Sequence, residues 1–258
     1  MSQSTNVPKL NEDLGILVGL LLTDGSVSKK ETSWEIEFTN KSEELHELFK
    51  NKMKTIYGIT NFQNKKDHRS EEIKRTVIQN KSVGDSLTQI IPTFRTKQFE
   101  NGIFPKSKIP NFVFQLPKEN ISKILQVMFS TDGSVSLWVV WNKRKKVWEI
   151  KNYVKISSKH PKIRKQVYDL LKIFGFNPTI RTSNDEVVLF KKEDIKKFQN
   201  KIGFVDGVKV TKDSRHWQGF TKNQILNLVI KSFGLKKKDL QNFKTKEEII
   251  NFLKSKIR

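Results

Sequence analysis

The stretch from Leu14 to Ser26 reads LGILVGLLLTDGS, an apolar run that stops abruptly at an acid. Its leucines and valine recur at the three- and four-residue spacing of one helix face. Gly15, Gly19 and Thr23 fall on one line along that helix, four residues apart. Because small residues at this spacing let two helix backbones approach closely, the stretch predicts a buried helix that packs tightly against a partner.

A second stretch of the same kind runs through residues 121–134 and reads ISKILQVMFSTDGS. Both copies end in Thr-Asp-Gly-Ser-Val, which places Asp24 and Asp132 at the ends of their helices. A carboxylate at a helix C-terminus is unfavourable, since the helix dipole already puts partial negative charge there. An acid placed there twice predicts a compensating cation.

These residues resemble a known family. Leu17 to Gly25, LVGLLLTDG, and Leu125 to Gly133, LQVMFSTDG, are similar to the two motifs of a single-chain LAGLIDADG homing endonuclease. The second copy departs from the family pattern at Val127, where the family usually has glycine, and also at Gln126 and Ser130. The resemblance covers about residues 12–215 as two aligned repeats. It implies a site-specific endonuclease that makes a staggered double-strand break in a long DNA target.

Charge and composition point to the same kind of partner. The 258 residues include 49 Lys and Arg against 27 Asp and Glu, a net charge of +22, so we expect a polyanion, and nucleic acid first. The longest apolar stretch, 14–22, is too short to span a bilayer, which argues against a membrane partner. The absence of cysteine excludes disulfides and cysteine-ligated zinc or iron–sulfur sites. We expect an intracellular monomer, in the cytoplasm, nucleoid or an organelle matrix.

The order of hydrophobic patterns predicts an α+β fold of two pseudo-symmetric αββαββα repeats. Each half has a motif helix, a hairpin, an amphipathic helix, a second strand pair and a short helix, so each forms a curved antiparallel sheet. We expect the two sheets together to form a saddle. Extra helices follow at the C-terminus, and they either contact the polyanion or form ordinary solvent-exposed surface. The predicted divisions are the first repeat at 1–100, a linker at 101–117, the second repeat at 118–220 and a basic helical extension at 221–258.

One face of each sheet is predicted to be polar and free, and a two-stranded ribbon fits the DNA major groove. On the second hairpin, Lys151, Tyr153 and Lys155 alternate with apolar residues and point outward. Tryptophans 138, 141 and 148 are interpreted as packing residues. The predicted DNA-binding residues are Lys29, Lys30, Glu35, Glu37, Lys143, Arg144, Lys146, Lys151, Tyr153, Lys155 and Arg181.

Paired acids beneath DNA are typical of metal-dependent phosphodiester hydrolysis, because hard divalent cations prefer oxygen ligands and activate water. Asp24 and Asp132 are the predicted carboxylates, one for each DNA strand. The resemblance implies that Mg²⁺ is the usual ion, with Mn²⁺ or Ca²⁺ able to replace it for binding. It also implies that the backbone carbonyls of Thr23 and Thr131 complete the metal ligands.

Further catalytic positions follow from the resemblance alone. A polar residue at the end of the second strand orders the attacking water in this family, which by position is Asn40 in the first repeat and Ser158 in the second. A lysine after the last short helix of each repeat completes the pocket, which by alignment is Lys97 and Lys209. Such lysines stabilise charge that develops on the phosphate.

Three alternatives stay open at this point. The same fold serves RNA maturases that aid intron splicing, and it serves nucleic-acid-binding proteins that have lost cleavage. The net charge alone would also suit a nonspecific basic scaffold. Both motif acids are retained, which favours an active nuclease over an inactive relative.

Overall fold

The fold begins with a first repeat of three helices and four strands. The structure is a computed structural model that describes residues 8–67, 70–210, 214 and 216–256. The first repeat contains α1 Glu12–Asp24, β1 Gly25–Lys29, β2 Trp34–Asn40, α2 Glu43–Tyr57, β3 Gln63–Asp67, β4 Ser70–Gln79 and α3 Lys81–Ile90. Its sheet is antiparallel with strand order β1-β2-β4-β3. His68 and Arg69, which come between β3 and β4 in the sequence, lie outside the described residues.

The second repeat has the same order of elements. After the short helix α4 Asn111–Gln115, it contains α5 Lys118–Thr131, β5 Gly133–Asn142, β6 Val147–Ser157, α6 Pro161–Ile173, β7 Thr179–Arg181, β8 Glu186–Leu189 and α7 Lys192–Lys201. Its antiparallel sheet has the order β5-β6-β8-β7, which matches the first sheet strand for strand. The predicted α+β fold of two αββαββα repeats is therefore confirmed. The helix α4 lies in the segment predicted as linker.

The motif helices α1 and α5 form the interface between the repeats. A Cβ atom added at Gly15 would lie 2.3 Å from Ile124 Cδ1, and one added at Gly19 would lie 3.3 Å from Met128 Cγ. Both partner residues are on α5, so the predicted line of small residues does face the second helix. Nine consecutive residues of α1, 14–22, are buried.

Gly15→Ala is expected to lower the free energy of unfolding by about 1–3 kcal/mol, the usual effect of overpacking a tight core. Gly19→Ala is the matched control, because its added methyl would lie 3.3 Å from Met128 Cγ and 3.7 Å from the nearest Ile124 atoms, which is tight or ordinary contact and not overlap. Both variants replace glycine by alanine within a helix and gain the same helix propensity, so the difference between their free energies of unfolding reports the packing at each position. Urea unfolding of the two variants measures it, and equal stabilities would contradict the close approach at Gly15.

The C-terminal extension packs on the second hairpin. It contains α8 Lys222–Ser232, α9 Lys237–Gln241 and α10 Lys246–Ser255. Trp148 Nε1 on β6 donates to the Phe243 carbonyl of the extension at 3.1 Å, and Trp217, just before the extension, donates from Nε1 to the Leu137 carbonyl at 3.1 Å. Strands β5 and β6 have 10 and 11 residues, whereas β1 and β2 have 5 and 7. The extension thus supports the part of the hairpin that the first repeat lacks.

None of the helices within the described ranges is long and apolar enough to cross a membrane.

Candidate active site at the ends of the motif helices

The two motif acids meet where α1 and α5 end. Asp24 is the last residue of α1, and Asp132 is the C-cap of α5, with its backbone N–H donating to the Met128 carbonyl at 3.1 Å. Burial raises the pKa of Asp132 to about 8, and the negative charge of Asp24 adds to that rise, while the Lys222 ammonium opposes it. The two carboxylates are therefore close enough to disfavour each other's charge.

Two cavities lie at this meeting point, and each one joins the two repeats. The first, about 1210 Å³, is lined by Asp24 from one motif and Thr131 from the other. The second is small and is lined by Asp132 and Thr23. Each cavity thus combines the acid of one motif with the threonine that precedes the acid in the other motif.

Asn40 holds Asp24 in the first cavity. Its side-chain Nδ2 donates to Asp24 Oδ2 at 2.6 Å, and its Oδ1 accepts from the Ser42 backbone N–H at 2.7 Å. The bond to Ser42 fixes the direction of the amide, so the nitrogen faces the carboxylate. Asn40, a predicted water-ordering residue, lies at the end of β2 as the sequence indicated and contacts the motif acid directly.

Ser158 lies at the corresponding end of β6 and lines the small cavity with Asp132. Its carbonyl accepts from Arg164 NH1 at 2.8 Å, and the same guanidinium nitrogen contacts Asp185 Oδ1 at 2.5 Å. The preceding residue, Ser157, donates its backbone N–H to the Asp132 carbonyl at 3.2 Å. The second predicted water-ordering residue is therefore placed beside the second acid.

Lys222 is the residue at this site that the sequence did not identify. Its ammonium is buried and donates to the carbonyls of Ser130 at 2.6 Å and Gly133 at 2.7 Å, on either side of the motif acid. Burial lowers the pKa of Lys222 to about 8, against the opposing charges of Asp24 and Asp132. A capping box at Thr221 and Gln224 starts α8 at this point and presents the lysine to the motif.

The two predicted lysines have different positions. Lys209 is exposed and lines the first cavity together with Asp24, and its backbone bridges Thr221. Lys97 is exposed in the segment after α3, where its carbonyl accepts from Arg95, and it is not among the residues that line either cavity. Of the two, the structure brings only Lys209 to the paired acids.

The donor set at the cavities fits a divalent cation. The hydroxyls of Thr23 and Thr131 both donate back into their own helices, at 2.9 Å to the Gly19 carbonyl and 2.8 Å to the Met128 carbonyl. Each threonine also offers a backbone carbonyl in the last turn of its helix, where carbonyls lack an intrahelical partner and can bind a cation. Carboxylates with carbonyls are hard oxygen donors, and the mutual repulsion of the two acids would be relieved by a cation. Among the described residues, no group of three or more acidic, histidine or cysteine side chains is arranged to hold a metal ion.

On the second sheet, Lys151, Tyr153 and Lys155 share the face opposite the buried Val154 and Ile156, as predicted. Lys151 pairs across the hairpin with Trp138, whose side chain is 54% exposed on that same face. The interpretation of the tryptophans as packing residues therefore holds for Trp148, which packs against the core, and is wrong for Trp138. Trp141 contacts the Trp148 ring, with 5.1 Å between the ring centroids, but is itself 47% exposed.

Three of the four predicted residues of the first hairpin are engaged in ion pairs. Glu35 contacts Lys30 at 3.2 Å. Glu37 accepts from Arg75, whose Nε lies 2.9 Å away. In the second repeat, Lys155 occupies the place of Glu37 and pairs with Glu186, which occupies the place of Arg75. The two sheets thus carry the same ion pair with its charges exchanged between the strands.

The remaining predicted DNA-binding residues are basic and lie near the ends of the strands. Arg181 stacks on the Phe190 ring, with 4.3 Å from the guanidinium carbon to the ring centroid. The others are exposed at the ends of the two hairpins: Lys29, Lys30, Lys143, Arg144 and Lys146.

Comparisons with solved structures give the same fold. I-DmoI in complex with DNA and Mn superposes with a TM-score of 0.50 at 14% identity, covering 75% of this chain and 97% of that one. A K262A mutant of I-SmaMI superposes with a TM-score of 0.53 at 16% identity, covering 94% of this chain and 98% of that one. Both are similar to this chain in its two-repeat architecture.

A curated relative is 26% identical over 224 residues, a DNA polymerase of Thermococcus hydrothermalis. The match covers 81% of this chain but only 12% of that polymerase's length. The LAGLIDADG-like domain family matches residues 11–91 and 119–203, which are the two repeats described above. The predicted resemblance is confirmed, and the chain belongs to the LAGLIDADG-like domain family.

Proposed function

We propose that this chain is a site-specific DNA endonuclease that hydrolyses one phosphodiester bond in each strand of a long duplex target. The observation that carries the proposal is the meeting of Asp24 and Asp132 in paired cavities, each completed by a threonine of the other motif. A protein with a single motif acid would have one such cavity lined by an acid and a threonine. Two places, related by the duplication, correspond to the two backbones of a double helix.

The chain's own residues bind and orient the DNA. The open face of each sheet lies along the major groove, where base edges present distinct donor and acceptor patterns. Exposed lysines and arginines at the hairpin ends contact phosphates, which sets the register of the protein on the duplex. Asn40 and Ser158, at the ends of their strands, hold the solvent that faces each scissile phosphate.

The acids and threonine carbonyls would hold divalent cations, with Mg²⁺ proposed as the usual ion. A bound Mg²⁺ supplies Lewis-acid polarisation of the phosphate and lowers the pKa of the attacking water. Lys222 holds positive charge next to Asp132 before any ion binds, and Lys209 lies at the open side of the first cavity. Lys97 stays a proposal that rests on the family resemblance.

We further propose a separate function for each segment of the chain. Residues 1–100 and 118–220 each read one half of the target, and 101–117 link them. Residues 221–258 support the longer second hairpin and supply Lys222 to the second motif. Because one chain carries both repeats and both motif acids, the proposed active form is a monomer.

The test is incubation of the purified protein and Mg²⁺ with a randomised duplex library, followed by recovery and sequencing of cut molecules. We expect one family of long, non-repeating sites, cut on both strands with a stagger. Recovery of bound but uncut duplex would indicate a binding protein of the same fold. Recovery of structured RNA in a parallel library, without DNA cleavage, would indicate a maturase.

A further inference from the structure

The amphipathic helices α2 and α6 each direct one buried polar side chain at the strand end that borders a motif acid. In the first repeat, His46 Nε2 lies 3.1 Å from the Asn40 carbonyl, and its Nδ1 lies 2.8 Å from Thr76 Oγ1. Because a carbonyl only accepts, Nε2 carries the proton and Nδ1 accepts from the Thr76 hydroxyl. Burial lowers the pKa of His46, which agrees with a neutral ring.

In the second repeat, Arg164 makes the equivalent contact to the Ser158 carbonyl. The two residues occupy the same place in their helices, four residues after the N-caps Ser42 and His160. Their chemistry is different, since one is a neutral imidazole and the other a guanidinium that also binds Asp185. Both repeats therefore have a side chain that contacts the carbonyl at this strand end, although the residue type differs.

We infer that His46 and Arg164 are positioning residues, each holding the strand end that supports one of the two cleavage sites. The inference rests on the proposed endonuclease function. His46 fixes the backbone of Asn40, whose side chain is bonded to Asp24, so its removal loosens the first site. Arg164 fixes Ser158 and, through the neighbouring Ser157, the carbonyl of Asp132. Neither residue lines the other's cavity in the described part of the chain.

This arrangement has a distinctive consequence for the reaction. Each acid serves one DNA strand, so loss of one positioning residue should slow the cutting of one strand and leave the other. Outer contacts that orient catalytic groups are commonly worth about 10–100-fold in activity. A residue that only stabilises the fold would instead slow both strands together.

The experiment is strand-resolved cleavage of the cognate duplex, labelled differently on each strand, by the wild-type chain and variants in Mg²⁺. We expect His46→Ala to slow one strand by about tenfold or more relative to the other, so that nicked duplex accumulates. Arg164→Ala should slow the opposite strand. His46→Gln and Arg164→Lys keep a donor and should recover part of the slowed rate.

Met53→Ala is the matched control, because it removes a fully buried side chain on α2, two turns beyond His46. It should lower stability without a strand preference. If His46→Ala fails to fold, Thr76→Val removes the hydroxyl bonded to His46 at nearly constant volume and should slow the same strand. Equal slowing of both strands, or slowing of the same strand by both alanine variants, would overturn the inference. Absence of cleavage by the wild-type chain would instead overturn the proposed function.

Discussion

Asp24→Asn is expected to abolish double-strand cleavage while leaving DNA binding intact or tighter. The carboxylate supplies several kcal/mol of stabilisation to the metal-assisted step, which corresponds to about 10³-fold in rate. Binding does not depend on that charge, and removal of an acid beneath the duplex reduces repulsion of the phosphates. The same change removes one cause of the raised pKa of Asp132 and also one of the two negative charges that stabilise the buried Lys222 ammonium, so its two effects on stability oppose each other.

Plasmid cleavage and a filter-binding or mobility-shift assay measure the two properties separately. Glu44→Gln is the matched control, since Glu44 lines the same cavity but does not belong to a motif. It should keep most of the cleavage activity while removing the same unit of charge. Persistent cleavage of both strands by Asp24→Asn would exclude Asp24 from the metal site.

Lys222→Met is expected to lower both stability and cleavage. The ammonium satisfies the Ser130 and Gly133 carbonyls, and each buried carbonyl left without a donor costs about 1–3 kcal/mol. The variant also leaves Asp24 and Asp132 without the cation that moderates their repulsion. We therefore expect a loss of about 2–5 kcal/mol in the free energy of unfolding, with cleavage reduced even at temperatures where the variant is folded.

Chemical denaturation followed by circular dichroism measures the stability, and cleavage is measured at a temperature below both transitions. Lys246→Met is the control, because Lys246 lines the first cavity without a backbone partner among the described contacts. It should change stability by less than about 0.5 kcal/mol. If Lys222→Met were as stable as wild type, the buried ammonium would not be a structural support of the motif.

The duplicated architecture was predictable because its signals are local and repeated. The spacing of apolar residues set the motif helices, and the glycines at 15 and 19 indicated the face that meets Ile124 and Met128. The alternation on β6 predicted the buried set and the open set of side chains correctly. The presence of two copies also makes a chance match to the motif less frequent, since each copy supports the interpretation of the other as a family motif.

The parts that escaped prediction depend on contacts between distant segments. Lys222 is one of 49 basic residues, and no local pattern distinguishes the one that becomes buried against a motif about ninety positions earlier. The family resemblance indicated Lys97 and Lys209 by alignment, yet the buried cation comes from the extension that follows both repeats. The exposure of Trp138, in contrast, follows from the local alternation on β5, where Leu137 and Val139 on either side of it face the core.

The ion pairs on the two sheets bear on the symmetry of the proposed DNA target. Glu37 with Arg75 and Lys155 with Glu186 occupy matching places with opposite polarity. A palindromic duplex would offer identical groups to both places, and at most one of them would be complemented. Under the proposed function, the exchanged charges favour a target without inverted symmetry, although the two repeats share one strand order.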